Sequence, residues 1–100
     1  METKRRSIIK IKKERLKELT FNSKDVFPNK MDQERRAIEL RKAVSYHTNS
    51  PKAVQIIFEC SDGCMMVEAE ELRLNKEYVS LMDGCFIPLR NILTTKTIFN

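Results

Sequence analysis

From Ala53 onward the side chains alternate between apolar and polar. Val54, Ile56, Phe58 and Cys60 point one way, and Gln55, Ile57 and Glu59 the other. A period of two sustained over this length predicts a half-buried β-strand. Ser61-Asp62-Gly63 follows, where Gly tolerates the positive φ that a tight hairpin turn requires. The alternation resumes from Met65 to Glu70, with Met65, Val67 and Ala69 inward and Glu68 and Glu70 outward. Glu71 to Lys76 is a polar connection through which Leu72 and Leu74 alternate. A third strand is predicted from Glu77 to Met82, with Val79 and Leu81 inward, and Asp83-Gly84 makes the next turn. Cys85 to Leu89 is the fourth strand. Pro88 cannot donate a ladder hydrogen bond, so this strand lies at an edge or is bulged there. Ile92 to Phe99 supplies a short fifth strand that closes or flanks the sheet. Ile57 and Met66 put apolar surface on the second face, which a flat meander leaves in water. Curling into a small open barrel buries more of it.

Ahead of Ala53 the period is helical. Asn29 to Tyr46 is the strongest helix in the chain, with Asn29 or Asp32 able to cap its first backbone N–H groups. Ala37, Leu40 and Val44 share one face at offsets of three and four, with Met31 and Ile38 beside them. Asn49-Ser50-Pro51 ends the unit. Thr20 to Lys30 is a connector rich in turn formers, and Val26 and Phe27 are expected to anchor it to the core. Lys12 to Leu19 also reads as helix, with Ile9, Leu16 and Leu19 on one stripe, although the alternation of Ile9 to Lys12 fits a short strand equally. Residues 1–6 are expected to lack order.

Together these elements give an α+β chain: a basic helical N-terminal segment over residues 1–50 and a small antiparallel β-barrel of four to five strands over residues 51–100, folding as one domain. One hundred residues suffice for one modest core. Charge divides unevenly between the halves. Residues 1–50 carry 14 Lys/Arg against 7 Asp/Glu, and residues 51–100 carry 5 against 7. A basic arm favours anionic partners such as nucleic acid, an acidic protein surface or anionic lipid. A charged arm that is only solvated has the same composition. No apolar run reaches the roughly 18 residues of a membrane span. Lysines at 10, 12 and 13 interrupt any signal core, so a cytoplasmic chain is expected.

The residues offer little catalytic chemistry. Cys60, Cys64 and Cys85 are odd in number and read as reduced thiols. With His47, the single histidine, they make four ligands on paper, enough for a zinc site. Yet the Cys60 to Cys64 spacing across a turn is not that of a zinc knuckle, and alternation puts Cys60 inward and Cys64 outward. Small thiols filling a core are the commoner explanation, and the one expected here. Glu68 and Glu70 alternate on a solvent face, where charges belong. Both glycines are in hairpin turns, so there is no phosphate-cradling loop. No enzyme, metal or cofactor is expected, and no small-molecule substrate is evident. The strongest functional signal is the basic tract Lys4-Arg5-Arg6, Lys10, Lys12-Lys13, Arg15 and Lys17, which would bind phosphate backbones without sequence choice. Bases also need aromatic surfaces to stack on, and Phe21, Tyr46, Tyr78 and Phe86 are the candidates.

The helix before Pro51, the Asp62-Gly63 turn and Phe86-Ile87-Pro88-Leu89-Arg90-Asn91-Ile92 together resemble small five-stranded barrels of the Sm-like and bacterial Rho-inhibitor types. Sm-like sequences carry Gly after the corresponding Arg, where this chain carries Asn91. Val79 to Pro88 is also similar to a Bacteroidota sequence group in which a strand and turn precede a Gly-Gly hairpin ending in Ile-Pro, a likeness that implies no activity. The resemblance implies an SH3-like or Sm-like barrel. The expected function is binding of RNA or single-stranded nucleic acid, with Lys4, Arg5, Arg6, Lys12 and Lys13 on phosphates and Arg90 as a barrel-side contact. The alternative is a protein-interaction module or homo-oligomer. It would meet its partner through the sheet edge around Pro88 or through the outer residues Ile57, Met66 and Met82.

Overall fold

The structure, a computed structural model, describes residues 7–46, 53–82 and 84–98, without the side chains of Tyr46 and Met82. Lys4, Arg5, Arg6, His47, residues 49–51, Asp83 and Phe99 lie outside the described residues. The described residues form an α+β fold with one long helix and two sheets. In order they form β1 (Ile9–Lys10), a 3-10 helix (Lys13–Glu18), α1 (Lys30–Tyr46), β2 (Ala53–Cys60), β3 (Gly63–Ala69), β4 (Arg73–Leu74), β5 (Tyr78–Met82), β6 (Cys85–Pro88), a 3-10 turn (Leu89–Asn91) and β7 (Ile92–Ile98).

The strands follow the alternation closely. β2 pairs antiparallel with β3 from Val54–Ala69 to Cys60–Gly63, and with β7 on its other side. The pairing of β2 with β7 shifts register between Ile57 and Phe58, so that Phe58 meets Ile92. Gly63 and Gly84 have φ of 122° and 75°, the positive values their turns require. Val54, Ile56, Phe58, Val67, Val79, Ile87 and Ile92 are almost wholly buried. Each such side chain contributes roughly 1.5–3 kcal/mol by leaving water.

The strands do not close into a barrel. They form a four-stranded sheet, β1-β3-β2-β7, and a three-stranded sheet, β4-β5-β6. Closure would need β3 to pair onward with the next strand. Instead β1 takes the free edge of β3, Ile9 opposite Met65 and Lys10 opposite Met66, and this pair is parallel where the sequence suggested only antiparallel pairing. The Ile11 N–H extends it by donating to Met66 O at 2.9 Å. β4 then has only two residues, both paired with β5. β6 lies at an edge, as Pro88 requires. Two elements span the gap between the sheets: α1 packs on β7 and β4, and the 3-10 helix packs on β6 and β3. Leu16 from the 3-10 helix and Leu40 and Ala43 from α1 join side chains of both sheets in one core cluster.

Three expectations for the N-terminal half are corrected. Lys12 to Leu19 is not an α-helix but six residues of 3-10 helix, and of the two readings of Ile9 the short strand is the one that forms: Ile9 lies in β1, half exposed, and does not share a stripe with Leu16. On α1 the buried stripe is Arg36, Leu40 and Ala43, with Val44 packed beside it, whereas Met31 is 67% and Ile38 51% exposed. At about 100° per residue Ile38 stands opposite that stripe. Asn29 does cap the helix: its Oδ1 accepts from the Met31 N–H at 2.7 Å. Glu39 on α1 accepts from the Thr94 hydroxyl on β7 at 3.1 Å.

Cys60, Cys64 and Cys85 are free and buried. Alternation placed Cys64 on the open face. Cys64 and Met65 are both buried, so both faces of β3 are covered at the hairpin end. Among the described residues no group of three or more potential ligands could hold a metal ion, and no helix is long and apolar enough to cross a membrane.

Candidate nucleic-acid interface

The alternation that buries Val79 and Ile87 turns Tyr78 and Phe86 outward on neighbouring strands. Ser80 lies opposite Phe86 and Tyr78 opposite Pro88, so Tyr78 and Phe86 are diagonal neighbours across the β5–β6 ladder. Their rings are tilted by 42° with centroids 4.8 Å apart, and Phe86 is 46% exposed. A large aromatic left half in water at this position has the flat apolar face that base stacking requires.

Basic side chains flank it. The turn before β5 is built by Asn75, whose Oδ1 accepts from the Glu77 and Tyr78 N–H groups at 2.7 and 2.9 Å, and this sets Lys76 at the rim. After β6 the 3-10 turn presents Arg90, exposed. Lys76, Glu77, Tyr78, Phe86, Pro88, Leu89 and Arg90, with Asp25 and Arg36 behind them, line an open cleft of about 620 Å³. Among the described residues neither Lys76 nor Arg90 forms an ion pair.

The back of the cleft is the connector before α1. Arg36, only 7% exposed, donates from Nη1 and Nη2 to the two oxygens of Asp25 at 2.8 and 2.7 Å, and from Nη1 to the Ile92 carbonyl at 3.3 Å. Its guanidinium carbon lies 5.4 Å from the centre of the Phe27 ring. Asp25 Oδ1 also accepts from the Phe27 N–H at 2.8 Å. Partial burial pushes the Asp25 carboxyl up. The hydrogen bonds from Arg36 and the Phe27 N–H, with the charges of Arg36 and Arg90, outweigh it and hold the group below its ordinary range. The Val26 N–H donates to the Arg90 carbonyl and the Arg90 Nε to the Asn22 carbonyl, both at 2.8 Å. Val26 and Phe27 thus anchor the connector to the β6–β7 turn and to α1, and are absent from the apolar cluster at the centre.

The sequence-derived contacts fall in different places. Arg90 is in the cleft. Lys12 is exposed just before the 3-10 helix and Lys13 begins it, half-buried; neither lines the cleft. That helix lies against β6, the strand that carries Phe86. Parts of the basic tract are already paired: Lys10 with Glu68 at 3.6 Å and Arg15 with Glu18 at 3.1 Å. Phe21 is half-buried against the core, its ring 5.9 Å from that of buried Phe58, and it does not line the cleft. Ile57 and Met66 oppose one another on β2 and β3, both half-buried. Asn91 is wholly buried, with neither side-chain polar atom bonded to the protein, so it presents nothing to a ligand at the surface. Lys76 was missed because a lysine in a turn carries no signal of its neighbours. Comparison with protein-family models, curated proteins and solved structures finds no match for this chain.

Proposed function

We propose that this protein binds RNA or another single-stranded nucleic acid, with the cleft as the base-stacking site and the basic N-terminal tract as an added phosphate contact. The observation that carries this reading is the juxtaposition of the Tyr78–Phe86 pair with two cations, Lys76 and Arg90, outside any ion pair among the described residues. Single strands are bound by this combination, aromatic faces for bases and a positive path for the backbone. Lys4, Arg5, Arg6, Lys12 and Lys13 would add affinity without sequence choice. The order of elements supports reading the sheet half as an open relative of the SH3-like or Sm-like barrel. A helix precedes the first long strand, Asp62-Gly63 turns it, and the chain returns through Leu89–Asn91 to lay β7 beside β2.

The test is a fluorescence-anisotropy titration of a labelled twelve-residue oligouridine at low and at moderate salt. Binding should weaken steeply as salt rises, and Arg90→Ala should flatten the dependence of log K on log salt by about 0.7. Absence of binding at low salt rejects the reading.

A further inference from the structure

We infer that the connector from Thr20 to Asn29 is a strap, latched by Asp25 on Arg36, that holds Arg90 in position to take a phosphate group. The inference rests on the nucleic-acid reading for its ligand, and on the hydrogen bonds around Arg90 for its mechanism. Arg90 is exposed and follows an edge strand, a place where a long side chain ordinarily samples many rotamers. Here it is held twice by one connector. Its carbonyl accepts from Val26, and its Nε donates to Asn22 O. With Nε engaged, the two Nη groups are left as a fork, the arrangement that suits bidentate recognition of phosphate.

Asn22 and Val26 lie on either side of Asp25, so the hold on Arg90 is only as firm as the seating of Asp25. That seating is the two-point grip of Arg36, reinforced by Gln33 Nε2, which donates to Phe27 O at 2.7 Å. The latch has a second effect. Asp25 lines the same cleft as Arg90 and is an anion that Arg90 would otherwise attract. Because Arg36 takes both carboxylate oxygens and Arg90 acts on Asp25 through its charge without forming an ion pair with it, the Arg90 fork stays open to an external anion. Asp25 and Arg36 are therefore positioning residues, and Arg90 is the contact.

Two measurements test this. The first needs no ligand: the Nε–H proton of Arg90 should give a resolved, slowly exchanging NMR signal in the native protein. Asp25→Asn should broaden it or return it to the exchange rate of a free arginine, and Arg36→Lys, which keeps a charge for Asp25 but loses the fork, should do so in part. An unchanged signal in both folded variants overturns the strap. The second is oligouridine affinity. Arg90→Ala should weaken binding by about tenfold. Asp25→Asn should approach that loss, Asp25→Glu should restore most of it, and Asp25→Asn combined with Arg90→Ala should bind no worse than Arg90→Ala alone. Additive losses would place Asp25 outside the path to Arg90 and overturn the inference. If the native protein binds no oligonucleotide, the functional reading fails, while the NMR signal still decides whether the strap exists.

Discussion

Arg36 meets both carboxylate oxygens of Asp25, at 2.8 and 2.7 Å, from a helix position that is otherwise part of the core face. The pair ties α1 to the connector ahead of it. Breaking such a pair by removing one partner costs about 3–5 kcal/mol, because the other charge stays buried. Asp25→Asn should therefore lower unfolding free energy by about 3 kcal/mol, towards the low end since Asp25 retains some contact with water. Arg36→Met in the same chain should recover most of that loss, because it removes the stranded guanidinium and leaves an apolar stem against the core. Urea unfolding of the two single variants and the double variant measures the coupling, and simple additivity would show that the pair does not act as a unit.

The same pair gives a pH dependence with a definite sign. The folded-state pKa of Asp25 is held below its ordinary value, about 3.9 in an unfolded chain. Its stabilising contribution is thus complete well above pH 4 and is lost as pH falls through the lower folded value. The stability difference between the native chain and Asp25→Asn should be flat from about pH 5.5 to 7 and should narrow below about pH 4. A difference that narrowed near neutrality would point to another group.

How far the sequence discloses this molecule depends on the range of the interaction that decides each feature. Alternation is local and requires no partner, so β2, β3, β5, β6 and β7 are recoverable from it, as are the turns at Gly63 and Gly84. The outward set of Tyr78 and Phe86 comes from the same rule, but their contact depends on the register across the β5–β6 turn. The alternation of Ile9 to Lys12 allows the two-residue strand β1, but its parallel pairing with Met65 and Met66, far along the chain, is set by no local pattern. Arg36 was invisible for a different reason. A charged residue on an amphipathic helix reads as solvent-facing, and its burial is made tolerable by partners distant in sequence: Asp25, eleven positions earlier in an irregular segment, with the Ile92 carbonyl and the Phe27 ring. Placing Arg36 in solvent also rotates the predicted helix face and brings Met31 and Ile38 to the core side.

That rotation has a direct test in α1. Leu40 is buried against both sheets and Ile38 faces water, two positions away on the helix. Leu40→Ala should cost about 2–5 kcal/mol through lost burial and the cavity left behind. Ile38→Glu should stay within about 0.5 kcal/mol, as surface changes do. Thermal or urea unfolding of both variants decides the orientation. A large loss for Ile38→Glu would mean that the outer face of α1 is covered in solution.

Phe86 and Ile87 are adjacent in sequence but face opposite ways, and this separates stability from binding. Ile87 is wholly buried between the sheets, so Ile87→Ala should lower stability by about 2–5 kcal/mol. In the fraction that remains folded, oligonucleotide affinity should be unchanged. Phe86→Ala removes a half-exposed ring whose contact with Tyr78 is worth about 0.5–1.5 kcal/mol, so stability should fall by no more than that. Affinity should fall by about 1–3 kcal/mol, the worth of one stacked base, which is about five- to 150-fold in Kd. Anisotropy titrations run beside urea unfolding on the same samples make the comparison. If Phe86→Ala bound as tightly as the native chain, the cleft would not be where bases stack, and any binding would belong to the basic N-terminal tract alone.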